Sequence, residues 1–174
     1  MRKLIGIIPE ESGFIKEYRF HQGWWRAFVL NEEPGMYWDE KNEKCASVCN
    51  RINDGEKSLK NFLSDEISNT AKKAIEHNKT TKSGIIDQDR LYNNLLSSQP
   101  LAFNFFGFLN PKDEITLRFL KTIQPEITDC ESIVLEFAPR TTKDKSAFDF
   151  GFIVNSGRGK GFIGFECKYT DTFS

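Results

Sequence analysis

The sequence predicts an α+β fold, with helices first and a three-stranded antiparallel meander after them. Two observations carry this. Residues 1–60 are mixed, but from Asn61 to Pro125 the apolar residues recur at spacings of three and four, and beyond it the period drops to two. The links between the later segments are also short and turn-like, which makes neighbouring strands antiparallel. The 174 residues are enough for one domain with a real core, and 16 phenylalanines make that core aromatic. An N-terminal helical and irregular segment over 1–85 is expected to pack on a core over 86–174, the two forming one structural domain.

The elements follow in chain order. "FHQGWWRAFVL" is the most apolar part of the first sixty residues, and Trp24, Trp25, Phe28 and Leu30 are expected to dock on the core. "NFLSDEISNTAKKAIEH" is a helix: Ile67, Ala71, Ala74 and Ile75 share one face, Ser64 is the N-cap, and Asn78 and Gly84 end it. The next helical pattern holds Leu91, Leu95 and Leu96, then Phe103, Phe106 and Leu109. Pro100 interrupts it, so a break is expected at Gln99. Pro111 opens a further helix with Ile115, Phe119 and Ile123 on its apolar face.

The strands are expected at 132–140, 147–154 and 161–170. Alternation gives each one a greasy face: Ile133, Leu135 and Phe137; Phe148, Phe150, Phe152 and Val154; Ile163, Phe165, Cys167 and Tyr169. The opposite faces carry Glu136, then Asp149 with Gly151, then Glu166 and Lys168 with Gly164. A meander that aligns the greasy faces gathers the charges on the other side, where the two glycines leave room. Two carboxylates about 5 Å apart repel by roughly 3 kcal/mol at an effective dielectric near 20. A shared proton or a divalent cation relieves that repulsion. Mg²⁺ suits it, taking one or two carboxylates and keeping waters. The plainer reading is an edge strand whose exposed charges blunt aggregation.

A net charge of −1 leaves no global basic field, so nucleic acid would need a local patch. Arg140, Lys143, Lys145, Arg158 and Lys160, in the two turns beside the acidic strands, are the candidates for phosphate contacts. No stretch is long and apolar enough to span a membrane. Cys45, Cys49, Cys130 and Cys167 lack zinc-like spacing and are read as thiols in a reducing, cytoplasmic compartment.

Asp149 followed by Glu166-Cys167-Lys168 resembles the PD-(D/E)XK nuclease superfamily, whose signature is an Asp on one strand and Glu/Asp-x-Lys on the next, in an αβββαβ core. "DRLYNNLLSSQPLAFNFFGFL" (89–109) ahead of "FDFGFIV" and "GKGFIGFECKYTD" is similar to a bacterial restriction-endonuclease-like group. The likeness covers roughly residues 20–171. It implies a restriction-endonuclease-like αβββ core and a Mg²⁺-dependent endonuclease, with Mn²⁺ as alternative metal and DNA as partner. By the same resemblance Asp149, Glu166 and the Cys167 carbonyl ligate the metal, Lys168 positions the attacking water, and Glu136 is an accessory acid. Ser97, Ser98 and Gln99 contact phosphate or brace the site; helix capping explains them equally well. Phe148 stands where the signature has Pro. The chain ends at Ser174, soon after Lys168, where the family continues with a helix and a strand. An exposed sheet, with marginal stability or homodimerisation, is expected from that. A catalytically inactive nucleic-acid-binding module is the alternative. A metal-free carboxylate-pair hydrolase fits less well, because Lys168 sits beside the acids.

Overall fold

The computed structural model describes residues 5–6, 11–39, 43–81, 86–137 and 147–170. The chain forms two compact units, each assembled from separated segments: 1–63, 87–101 and 168–174 in one, 64–86 and 102–167 in the other. The class is α+β.

In the first unit, α1 (Gly13–Trp24) runs into one π-helical turn (Trp25–Val29). An antiparallel hairpin follows, β1 (Pro34–Asp39) with β2 (Lys44–Ile52). The hairpin is not predicted by the sequence pattern: "KCASVCNRI" is too small and polar to read as a strand. The register shifts between Pro34 and Gly35, where a Cβ on Gly35 would lie 2.5 Å from the Ile52 carbonyl oxygen. The expectation for the tryptophan segment fails at two of its four residues, Trp25 and Leu30 being half-buried. Trp24 is 43 % exposed and Phe28 is also exposed, whereas Arg26 is fully buried. Its Nε donates to the Cys49 carbonyl (2.8 Å) and its Nη1 to the Glu32 carbonyl. Burial lowers the Arg26 pKa, which the charges of Cys49, Glu33 and Glu32 partly offset. α1 can lie close on β2 because Gly23 faces Cys49, at 3.0 Å from where a Cβ would stand.

Short α2 (Gly55–Ser58) and α4 (Gln88–Asn93) complete this unit, with the first residues of α5 (Ser98–Phe106). A chain of amides ties them together. Asn50 donates to Asn94 Oδ1 (2.9 Å), the same oxygen accepts from the Leu96 amide (3.0 Å), and Asn61 donates to the Leu91 carbonyl (2.9 Å). The helix break falls at residues 94–97, before the expected Gln99. Pro100 lies in the first turn of α5, where its missing N–H leaves no bond unmade.

The second unit holds α3 (Asp65–Thr81), the rest of α5, α6 (Glu114–Ile123) and a three-stranded antiparallel sheet of order β3-β4-β5. Ser64 caps α3 as predicted, its Oγ accepting from the Ile67 amide (3.3 Å), but the helix runs past Asn78 to Thr81. Thr70 Oγ1 donates to the Gly107 carbonyl (2.8 Å) and pins α3 to the turn after α5. α6 starts three residues beyond Pro111, with Asp113 as N-cap. Its buried face is Thr116 and Leu120; Ile115 and Ile123 are exposed. Phe119 alone of the predicted stripe joins the core, because 100° per residue carries positions four apart only approximately onto one line.

The strands are β3 (Ile127–Phe137), β4 (Phe148–Ser156) and β5 (Gly159–Phe165). Phe106 sits at the centre of the aromatic core, its ring centroid 4.8 Å from Phe165, 5.3 Å from Phe150 and 6.1 Å from Phe152. Phe119 adds contacts to Phe165 and Phe152, and Phe103 meets Phe150 edge-on at 5.4 Å. Phe150, Phe152 and Phe165 thus pack on α5 and α6 as predicted, whereas Cys167 and Tyr169 lie beyond β5 and Phe148 departs within β4. The Phe148 ring is not on that face. It lies across the sheet against Gly164, where a Cβ would come within 2.6 Å of it. As the first residue of β4, Phe148 is free of the pleat on its N-terminal side.

Candidate active site

The register of the sheet decides which acids meet. Leu135 pairs with Phe150 and Phe137 with Phe148, so Glu136 stands opposite Asp149. Phe150 pairs with Phe165 and Gly151 with Gly164; one further step puts Asp149 opposite Glu166. By register the three acids fall toward one end of the sheet, on a rung that β5 does not complete, since Glu166 lies one residue past its last paired position.

β5 ends at Phe165, so Glu166, Cys167 and Lys168 lie just beyond the pleat, not within a strand reaching residue 170. The Cys167 amide donates to Asp149 Oδ2 at 2.6 Å, which fastens the exit of β5 to the start of β4. On the other side of Lys168, residues 169 and 170 are anchored within the first unit. Gln22 Nε2 donates to the Tyr169 hydroxyl (2.8 Å), Tyr169 meets Tyr18 edge-on at 5.3 Å, and Thr170 Oγ1 donates to the Leu96 carbonyl (3.0 Å). Lys168 itself is exposed. Gln22, Tyr18 and Thr170 are supports that the sequence pattern did not single out.

Glu136 is 7 % exposed and has a left-handed backbone, φ 48°. A non-glycine residue there stores about 1–3 kcal/mol of strain, a feature that clusters at functional positions. Glu166 is exposed and Asp149 half-buried. Among the described residues, no three His, Cys, Asp or Glu side chains group closely enough to hold a metal by themselves.

One comparison decides the kinship. The family model described as the PD-(D/E)XK nuclease superfamily matches residues 9–174. The chain belongs to the PD-(D/E)XK nuclease superfamily. Searches of curated proteins and of solved structures gave no match.

For a PD-(D/E)XK protein the donor chemistry of this rung is apt. Asp149, Glu166 and the Cys167 carbonyl are hard oxygens, the kind Mg²⁺ and Mn²⁺ take. The Cys167 thiol does not compete. Burial, with the nearby Asp149 and Glu166 charges, pushes it up to about 12, so it stays protonated at neutral pH. This gives a direct expectation. At pH 8.5 an ordinary cysteine is about half thiolate, whereas Cys167 has about a thousandfold less. Iodoacetamide followed by peptide mass spectrometry at that pH should label exposed Cys45 and leave Cys167 unmodified in the folded protein. Rapid labelling of Cys167 would show that its surroundings are more open and less acidic than described.

The remaining predicted site residues are more scattered. Arg158 and Lys160 sit at the β4–β5 turn, about 20 Å along the strands from the acid rung at 3.3 Å per residue. Each has an acidic partner, Arg158 with Glu126 (2.9 Å) and Lys160 with Glu131 (2.7 Å). Arg140, Lys143 and Lys145 lie outside the described residues. Gln99 is buried, and its Oε1 accepts from the Asp87 amide (3.1 Å), while Ser97 Oγ accepts from the Gln99 amide (3.3 Å). These bonds give Ser97 and Gln99 bracing work at the α5 entrance. Ser98, between them, is half-buried.

Proposed function

We propose that this protein is a metal-dependent nuclease hydrolysing DNA phosphodiester bonds at the Asp149–Glu166 rung. The observation that supports the reading best is the hydrogen bond from the Cys167 amide to Asp149 Oδ2, which holds the Glu166–Cys167 segment beside Asp149 in a chain of this superfamily. Asp149, whose Oδ2 accepts from the Cys167 amide, would be one ligand of the cation. Glu166 and the Cys167 carbonyl would be the other ligands, and Glu136 an accessory acid. A bound Mg²⁺ or Mn²⁺ supplies Lewis-acid chemistry, lowering the pKa of a water and neutralising phosphate charge. Lys168 orients the attacking water and places its ammonium against the negative charge that develops on the phosphate.

One observation favours a second reading, a non-cleaving nucleic-acid-binding module: no three-acid cluster is drawn together among the described residues. Metal titration separates the two. A cation that binds only the folded chain stabilises it by about 2.7 kcal/mol at a hundredfold excess over Kd. For a protein of this size that raises Tm by about 5–10 °C. The nuclease reading expects this rise with millimolar Mg²⁺ or Mn²⁺, its loss in Glu166→Gln, and cleavage of DNA by the parent. No shift and no cleavage would select the inert module.

A further inference from the structure

The acid rung has neighbours of a different character. On the same side of the sheet as the Asp149 side chain, Gly151 and Gly164 pair with each other two rungs inward. Two phenylalanine rings lie directly against them. A Cβ on Gly151 would come within 2.4 Å of Phe162, and one on Gly164 within 2.6 Å of Phe148. The two rings are 5.7 Å apart, tilted by 59°. Phe148 remains 36 % exposed and Phe162 40 %. The room expected over the glycines is therefore filled, and filled by aromatic faces.

Glycine weakens a strand interior, and a pair of them directly opposed is not what packing alone would select. β-Branched residues would cover the sheet more firmly there. Glycines instead let two rings settle low on the sheet while each stays more than a third exposed. This platform begins one residue from Asp149, and Gly151 is about 7 Å from Asp149 along β4. It is continuous with the rung where a phosphate would lie.

We propose that Phe148 and Phe162 form a stacking floor for an unpaired nucleobase, so that the preferred substrate is a single strand or a duplex with an unpaired nucleotide at the cut. This rests on the nuclease reading of the adjacent acids. Base stacking on aromatic side chains is strong and indifferent to sequence, because every base offers a π face. A paired base inside a duplex keeps its faces covered by its neighbours and cannot use the floor.

The test is binding, measured without turnover. Fluorescence anisotropy of a labelled thymidine oligonucleotide and of a hairpin duplex is followed in EDTA and in Ca²⁺. The parent should prefer the single strand. Phe148→Ala and Phe162→Ala should each weaken single-strand binding about tenfold and leave the duplex nearly unchanged. Phe162→Trp should keep the affinity, with its emission quenched by the oligonucleotide. Phe162→Leu, which still covers Gly151, guards against misfolding and should lose affinity as the alanine does. The proposal is overturned if Phe162→Leu binds like the parent, if both nucleic acids lose affinity equally, or if the parent binds no single strand. It is also overturned if the parent is a dimer that Phe162→Leu converts to monomer, since a second copy then covers the rings. A parent that shows the aromatic dependence yet cleaves nothing with Mg²⁺ or Mn²⁺ overturns the nuclease reading and leaves the floor standing.

Discussion

Lys168→Ala and Asp149→Asn are each expected to lower DNA cleavage by about 10³-fold or more while the fold survives. Lys168 is exposed, so truncating it empties no core, and Tm should move by less than about 2 °C. Asp149→Asn removes the charge a cation needs but keeps a carbonyl oxygen for the Cys167 amide. Asp149→Ala removes both. It should therefore be just as inactive and, in addition, less stable by about 1–2 kcal/mol, the range for losing a hydrogen bond to a charged acceptor at a half-buried site. The three variants separate chemistry from architecture. Parental cleavage by Lys168→Ala would remove the lysine from the mechanism. Equal Tm values for Asp149→Asn and Asp149→Ala would mean the amide clamp contributes nothing.

The largest effect on stability is expected from Phe106→Ala. Its ring touches Phe119 on α6 and Phe150, Phe152 and Phe165 on the two neighbouring strands. Truncation leaves a cavity among side chains that are themselves large and fixed, so little collapse can refill it. A loss of about 3–5 kcal/mol follows, or a Tm lower by about 10 °C or more. Phe106→Leu should recover much of this. Urea unfolding of the three proteins measures it, and a loss below about 1 kcal/mol for the alanine variant would contradict the packing described.

Much of the sheet was legible because a half-buried strand writes its two faces into alternate letters. Phe150, Phe152 and Val154 read as core and are core. The pattern fails where the pleat stops. Phe148 begins its strand and Glu166 follows the end of another, so neither is bound to the alternation that governs the residues between. Arg26 could not be read as buried, because what permits it is a pair of backbone carbonyls supplied by distant residues, and composition carries no trace of them. The β1–β2 hairpin escaped because its buried side chains, Cys49, Asn50, Arg51 and Ile52, are consecutive and half of them polar, so they write no alternation into "KCASVCNRI". The acids Asp149 and Glu166 were visible as a pair. Where they fall relative to Glu136 depends on one register among several, which alternation alone does not choose.

The hydrogen bond between Asp149 and the Cys167 amide has a bearing on descent. A lineage that abandons cleavage but still needs the scaffold is under no pressure to retain a negative charge at 149, yet it is under pressure to retain an oxygen there. Asparagine satisfies that demand and alanine does not. Among relatives that have fallen silent, an amide at this position is therefore the expected scar, and its presence beside an altered Lys168 would date the loss of chemistry to before any loss of form.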